Sequence, residues 1–190
     1  MFAQRHLSRI AELAARWYVF VMIGLYGLGK IAGGQFYRHG HLPEKIAHKT
    51  VAELGAFELA WTFFGYSQAY ILFIGLAQIS GGLLLLAERT KLLGVAILMP
   101  VLINIIVVDA VYEVKDAIMS AAFYLFLLCL ILYFNRQKVL GAIRVLTMPL
   151  YPDKADMKSA VLRIVAVAAC LVLFFFAETF VLKMVGFSRL

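Results

Sequence analysis

Residues 92–109 read LLGVAILMPVLINIIVVD and carry no charge before the final aspartate. The hydrocarbon core of a bilayer is about 30 Å thick, and a helix of about 20 apolar residues crosses it. This stretch therefore predicts a membrane-spanning helix. Pro100, near its middle, removes one backbone donor and predicts a kink there.

Four other stretches have a similar length and composition, at residues 17–34, 70–87, 117–134 and 161–182. The whole chain is 64% hydrophobic and only 15% charged, and its mean hydropathy is +0.90. A soluble domain of 190 residues needs more polar residues to cover its surface. We therefore expect an all-α membrane protein with a four-helix transmembrane bundle core over residues 17–134 and a fifth, C-terminal transmembrane helix with a short tail over residues 161–190.

Two longer connections interrupt the spans. In residues 35–69, Pro43 is typical of a helix start, and Ala47, Val51, Leu54 and Trp61 follow at roughly helical spacing. This pattern predicts an amphipathic helix on the outer surface, and Ser67 is a candidate N-cap for the second span. Residues 135–160 form a basic connection. Pro149 and Pro152 interrupt it, and Asp153 or Asp156 is expected to start the last helix.

The formal net charge of +7 comes from basic residues that lie mostly between the apolar stretches. Orientation signals and contacts with anionic lipid explain this placement better than nucleic-acid binding, for which the sequence has no recognition module. Basic residues favour the side that holds residues 1–16 and 135–160 by about two to one. We therefore expect the N-terminus and the basic connection to be cytoplasmic.

Polar residues inside the spans are the main functional clue, because they are costly in lipid and usually face the bundle. With this orientation most of them fall in the outer half of the membrane. The candidate ligand-binding residues are Lys30, Gln78, Asn104, Asp109, Tyr112 and Glu113.

Two interpretations of these residues stay open. In the first, Lys30 pairs with Asp109 or Glu113, while Asn104 and Gln78 hydrogen-bond between helices and stabilise packing. In the second, they line a pocket for a polar headgroup, such as a quinone ring or a lipid headgroup. Lys30 and the amides would then bind carbonyl oxygens, and a carboxylate would accept protons.

Several other chemistries find little support. All four histidines lie outside the spans, whereas a membrane haem needs axial ligands within them. His39, His41 and His48 lie near Glu44, which allows a metal site, but a solvated loop is the favoured interpretation. No nucleophile is paired with a base, so we do not expect the chain to be an enzyme by itself.

Several short motifs recur in one known family. Residues 26–30 read YGLGK and precede Gln35-Phe36. Residues 61–67 read WTFFGYS, residues 75–86 read GLAQISGGLLLL, and residues 111–114 read VYEV. In this order and spacing, over roughly residues 17–134, the chain resembles a bacterial subgroup of the DoxX-like membrane proteins. Gln78 stands where that subgroup usually has an acidic residue.

The resemblance implies a four-helix core in the bacterial inner membrane. DoxX-like proteins include a quinone-linked subunit of a thiosulfate oxidoreductase, partners in redox-stress membrane complexes and many proteins of unknown activity. Two function classes follow: a non-catalytic subunit or assembly partner of a larger membrane complex, or a quinone-interacting component whose electrons come from a partner. Membrane lipids and other membrane subunits are the expected partners, and quinone is the one cofactor we consider.

Overall fold

A computed structural model describes residues 2–148 and 157–184, which form two compact units, residues 1–143 and 144–190. Five of its helices are long and apolar enough to cross a membrane. The prediction of an all-α, multi-pass membrane protein is therefore confirmed. The helices are α1 (Phe2–Ala32), α2 (Glu44–Ala47), α3 (Ala56–Gly65), α4 (Gln68–Leu86), α5 (Lys91–Val111), α6 (Lys115–Phe134), α7 (Arg136–Thr147) and α8 (Met157–Met184).

Four helices of the first unit form a closed ring, in which α1 contacts α4, α4 contacts α5, α5 contacts α6, and α6 returns to α1. Their inward faces bury a continuous apolar core. Its fully buried members include Val19, Ile23, Leu85, Leu98, Leu102, Leu128 and Ile131. The outward faces expose large apolar side chains such as Leu25 and Phe73, as expected where lipid replaces water.

Helices α1 and α4 cross with their backbones in contact at Gly27 and Gly75. A Cβ atom on Gly27 would lie 2.8 Å from the carbonyl oxygen of Gly75, and one on Gly75 would lie 3.0 Å from the carbonyl oxygen of Gly27. Only glycine allows this approach, because a backbone atom cannot move aside as a side chain can. Lys30 and Gln78 each lie three residues from the crossing, on opposite sides of it because α1 and α4 run in opposite directions. The crossing therefore fixes the spacing of their helices.

Helix ends follow the sequence signals in several places. The Ser67 hydroxyl accepts a hydrogen bond from the Tyr70 N–H at 3.3 Å, which confirms this residue as the N-cap of α4. Residues 87–90 form the tight turn to α5, which continues through Pro100 to Val111. Glu113 then adopts a positive φ of 60°, and the Val114 N–H donates to the Asp109 carbonyl at 2.8 Å.

The prediction of one amphipathic helix in residues 35–69 was wrong. The segment contains α2, a 3₁₀ turn at Val51–Glu53, and α3. Two carboxylates start new helical turns: Glu53 accepts from the Thr50 N–H at 2.7 Å, and Glu58 accepts from the Gly55 N–H at 3.1 Å. Each bond fixes a separate N-terminus, which divides the segment.

Two other boundaries differ from expectation. The first span was placed at residue 17, but α1 already begins at Phe2, and its early turns bury Ala15 and Arg16. The basic connection contains α7, whose Leu140, Ile143 and Leu146 recur at helical spacing. Pro149, Pro152 and the two candidate helix-start aspartates lie outside the described residues.

Candidate functional site

A cavity of about 80 Å³ lies inside the first unit, at the end of the ring where α1 ends and α4 begins. Its walls come from all four ring helices, and the loop after α1 together with α3 covers its end. The side chains discussed below are Tyr26, Lys30, Phe36, Trp61, Phe64, Tyr70, Gln78, Asn104, Asp109, Ser120 and Tyr124. We call this space the polar cavity.

Three polar side chains in the polar cavity are almost fully buried. Lys30 on α1 and Asp109 on α5 are each 5% exposed, and Gln78 on α4 is 1% exposed. The Lys30 Nζ atom lies 5.9 Å from the ring centroids of both Tyr26 and Phe36, within the range of cation–π attraction. The ring therefore gathers a cation, a carboxylate and an amide from three different helices.

These groups do not satisfy one another. Gln78 Oε1 and Asp109 Oδ2 are buried and have no hydrogen-bond partner. Within residues 2–148 and 157–184, Lys30 forms no ion pair, neither with Asp109 nor with Glu113. Buried polar atoms normally have a partner, and each one left without costs roughly 1–3 kcal/mol. Lys30 and Asp109 interact electrostatically, but no direct hydrogen bond joins the three groups. The cavity has room for a polar group that would supply the missing bonds.

Aromatic side chains cover the cavity at the end of the ring. Phe36 packs against Trp61 and Phe64, with ring centroids 5.8 and 5.9 Å away, and Phe64 stacks on Tyr70 at 5.6 Å. We call Phe36, Trp61, Phe64 and Tyr70 the aromatic roof. It presents flat apolar faces above the polar groups, a combination that suits a ligand with both a planar ring and polar substituents.

The roof is held by backbone contacts between the loop after α1 and α3. The Tyr37 N–H donates to the Trp61 carbonyl at 3.2 Å, and the His39 N–H donates to the Gly65 carbonyl at 3.4 Å. A Cβ atom on Gly65 would collide with the Tyr37 carbonyl oxygen. The glycine therefore lets the two segments approach closely enough to bring Phe36 over the cavity.

The structure brings together four of the six candidate residues. Lys30, Gln78, Asn104 and Asp109 line the polar cavity, and Asn104 is also exposed at the outer surface of α5. Tyr112 and Glu113 do not line it. They lie in the turn that ends α5, where Glu113 is exposed and Tyr112 is partly buried.

The sequence analysis missed the aromatic and α6 parts of the lining. Residues 61–64 belong to the WTFFGYS motif, and nothing in the sequence assigned their aromatic side chains to a binding site. On α6, Ser120 and Tyr124 are four residues apart and therefore share one helix face. This spacing is visible in the sequence and indicates a polar face on α6. For the histidines, no group of three potential metal ligands exists in the described part of the chain.

A second polar group lies at the opposite end of the ring. It consists of Glu12, Arg16, Glu88, Lys91 and Asn135, and we call it the charged cluster. The Lys91 Nζ atom lies 2.6 Å from Glu12 and 2.5 Å from Glu88, and the Asn135 amide donates to Glu12 at 2.9 Å. Arg16 donates to Glu88 at 2.9 Å and to the carbonyls of Leu85 and Leu86.

The charged cluster resembles structural cross-linking more than a binding site. Arg16 and Lys91 are 5% and 3% exposed, and both have carboxylate partners. The hydrogen bond from Lys91, with a further contribution from Arg16, holds the pKa of the Glu88 carboxyl below its ordinary value. The bonds join α1, α5 and the ends of α4 and α6, so the polar groups at this end of the ring are paired with one another. They also line an open space of about 620 Å³.

Comparison with known proteins gives one informative match. No protein-family model matches the chain, and no solved structure matches it. An uncharacterized protein of Bacillus subtilis (strain 168), YwoB, is 39% identical over 121 residues, which is 63% of this chain and 73% of YwoB. The chain belongs to the YwoB family. The second unit, residues 144–190, is too short to hold most of the 121 aligned residues, so the greater part of the similarity lies in the first unit.

Proposed function

We propose that this member of the YwoB family binds a quinone-type ring in the polar cavity and serves as the quinone-interacting membrane component of an oxidoreductase whose electrons come from a partner. The observation that carries the proposal is a pair of buried oxygens without hydrogen-bond partners, Gln78 Oε1 and Asp109 Oδ2, in the same cavity as the buried Lys30 ammonium. A bundle that needed these groups only for packing would have joined them to each other, as the charged cluster does.

The residues present fit such a ring. Lys30 and the Gln78 amide would donate hydrogen bonds to ring oxygens, while the free oxygen of Asp109 would accept one from a ring hydroxyl. The aromatic roof would stack on the ring. Bound there, a quinone supplies two-electron redox chemistry, and the chain contributes binding, orientation and an acceptor for a proton at Asp109.

The proposal also states how the chain is oriented in the membrane and which membrane holds it. The excess of basic residues near residues 1–16 and 135–148 supports a cytoplasmic N-terminus. The polar cavity, at the C-terminal end of α1, would then lie in the outer half of the membrane. The resemblance to DoxX-like proteins supports the bacterial inner membrane as its location.

The direct test is extraction of the protein in a mild detergent followed by mass spectrometry of bound small molecules. We expect a quinone to co-purify with the wild-type protein and to be lost in Lys30→Met, which removes the cation and keeps a side chain of similar length. Lys138→Met, on the exposed surface of α7, is the matched control and should keep the quinone. Retention of a phospholipid in place of a quinone would identify the site as a lipid headgroup site, and retention of neither would refute the proposal.

A second candidate function is a non-catalytic subunit or assembly partner of a larger membrane complex. It is favoured by α8, whose apolar side chains, from Val161 to Val181, are exposed on every side of the helix. We would place a photo-reactive phenylalanine analogue at Leu171 and at Phe175 in cells. Cross-links to one protein of constant mass would support a subunit role, whereas cross-links to lipid alone would count against it.

A further inference from the structure

The edge of the polar cavity at Asn104 reaches the exposed surface of α5, and we call this edge the opening. Asn104 lines the cavity and is also exposed at the surface of α5. It lies seven residues before the end of α5 at Val111, which is about 10 Å along a helix that rises 1.5 Å per residue. The opening is therefore well inside the span and not at its aqueous end.

The surface around Asn104 is apolar. Ile103 and Val107 are 47% and 54% exposed, as expected for side chains that face acyl chains. The Asn104 amide makes no hydrogen bond to any described residue. An amide at the lipid surface without a partner is costly, so its position at the edge of a polar cavity calls for an explanation beyond packing.

Aromatic rings line two other sides of the cavity. The aromatic roof covers the aqueous end, and the backbone bonds from Tyr37 and His39 to α3 hold it in place. Tyr26 also lines the cavity and is 41% exposed, but its ring packs against Tyr124 of α6, with centroids 6.2 Å apart, and covers that side.

We infer that the ligand enters the polar cavity sideways from the bilayer past Asn104, and that it is a membrane-dissolved amphiphile whose tail stays among the acyl chains while its head reaches Lys30, Gln78 and Asp109. The inference rests on the proposed function, because it names the route and the ligand class for the same site. During entry, the Asn104 amide exchanges hydrogen bonds with the polar head at the point where the head leaves lipid.

Trp61 provides a reporter for the experiment, because it belongs to the aromatic roof and a bound quinone quenches indole fluorescence. The chain has two tryptophans, so Trp17→Phe leaves Trp61 as the sole emitter. This protein would be reconstituted in phospholipid nanodiscs and mixed with decylubiquinone, a short-tailed benzoquinone, in a stopped-flow fluorimeter. Trp61→Phe serves as the blank for quenching unrelated to the cavity.

Two bulky substitutions on the same lipid-facing side of α5 separate the entry route from general effects. Asn104→Phe places a ring in the opening and should slow association about tenfold or more, because entry then requires the obstruction to move. Val107→Phe adds a ring of the same size outside the cavity and should leave the rate unchanged. Asn104→Ala removes the amide that the polar head passes and should slow association several-fold relative to Val107→Phe, which keeps the inference testable if Asn104→Phe does not fold.

The outcomes distinguish this inference from the proposed function. Phe64→Ala opens the aromatic roof. If it accelerates quenching while Asn104→Phe leaves the rate unchanged, the ligand enters from the aqueous end. That result would overturn the sideways route and leave quinone binding intact. Equal slowing by Asn104→Phe and Val107→Phe would also overturn it. No quenching of Trp61 in the parent protein would refute the proposed function and this inference with it.

Discussion

The two ends of the helix ring bury polar groups in opposite ways. In the charged cluster, Lys91 and Arg16 are as deeply buried as Lys30, and each lies within 2.9 Å of a carboxylate oxygen. In the polar cavity, Lys30, Gln78 and Asp109 come from three adjacent helices and remain without hydrogen-bond partners among the described residues. The same kinds of side chain are used for cross-linking at one end and left available at the other.

The contrast distinguishes buried polar groups that stabilise the fold from buried polar groups that are available to a ligand. Breaking a paired buried charge is costly, because it leaves the partner alone in a medium of low dielectric constant. An unpaired group already carries that cost in the folded protein, so its removal should not destabilise the fold. Substitutions at the two ends should therefore change stability in opposite directions, and four predictions follow in order of expected size.

The largest effect is expected for Lys91→Met. This change leaves the nearly buried carboxylate of Glu12 without its cation, which lies 2.6 Å away, and we expect a loss of roughly 3–5 kcal/mol of unfolding free energy. Thermal unfolding in detergent, followed by circular dichroism, measures it. The double variant Glu12→Gln/Lys91→Met should recover much of the loss, and equal losses in the single and double variants would contradict a role for the ion pair.

The next effect concerns the crossing of α1 and α4, which lies between the levels of Lys30 and Gln78. Gly27→Ala drives a methyl group into the Gly75 carbonyl oxygen and should cost roughly 1–3 kcal/mol. Gly24→Ala, one turn earlier in α1, meets nothing within 4 Å and is the matched control, with no loss expected. If both alanines are tolerated equally well, the backbone contact does not fix the spacing of Lys30 and Gln78.

A smaller effect of opposite sign is expected for Gln78→Met. Methionine nearly matches glutamine in length and removes the buried oxygen that has no partner, so we expect stability to rise by on the order of 1 kcal/mol while quinone quenching of Trp61 is lost. Unfolding temperature and quenching would be measured on the same preparation. A clear destabilisation would show that Gln78 is needed for the fold and would remove the contrast between the two ends.

The smallest effect is a pH dependence at the charged cluster. The folded-state pKa of Glu88 lies below its ordinary value of 4.5, mainly because Lys91 donates a hydrogen bond to it. A carboxyl with a lowered pKa contributes stability that is complete above its unfolded pKa and is lost as the pH falls through the folded value. The unfolding temperature should therefore be flat from neutral pH to about 5 and decline below about 4.5. The effect is small because the Glu88 side chain is 65% exposed.

Glu88→Gln is the control for this titration. The variant should show a shallower acid decline than the wild type, since Glu53 and Glu58, whose pKa values are also lowered by hydrogen bonds, titrate in both proteins. Identical declines in the two proteins would assign the acid sensitivity to other groups.

Much of the fold could be predicted because spans in lipid have a simple signature. Length and apolar composition located the four ring helices and the last span to within a few residues at most ends, although α1 begins well before residue 17. The segment between α1 and α4 was harder, because its helices are short and their starts depend on single side chains. Glu53 and Glu58 each bond to a backbone N–H three residues earlier, and apolar periodicity does not report such bonds.

The site was predictable only in part, for a related reason. The rarity of polar residues in lipid singled out Lys30, Gln78, Asn104 and Asp109, and all four line one cavity. Tyr112 and Glu113 were included because they are near Asp109 in sequence, but the end of α5 and the positive φ of Glu113 turn the chain away there. The aromatic roof could not be identified, since aromatic residues that line a cavity look like those that face lipid.

The hydrogen bond from Asn135 to Glu12 joins residues at the two extremes of the ring, from the start of α1 to the end of α6. Because a protein is synthesised from its N-terminus, α1 is made long before α6 and Asn135. Until α6 is made, α1 lacks one of its two neighbours in the ring, and the polar cavity lacks one wall. The four-helix ring can therefore close only after its last helix, α6, has been synthesised.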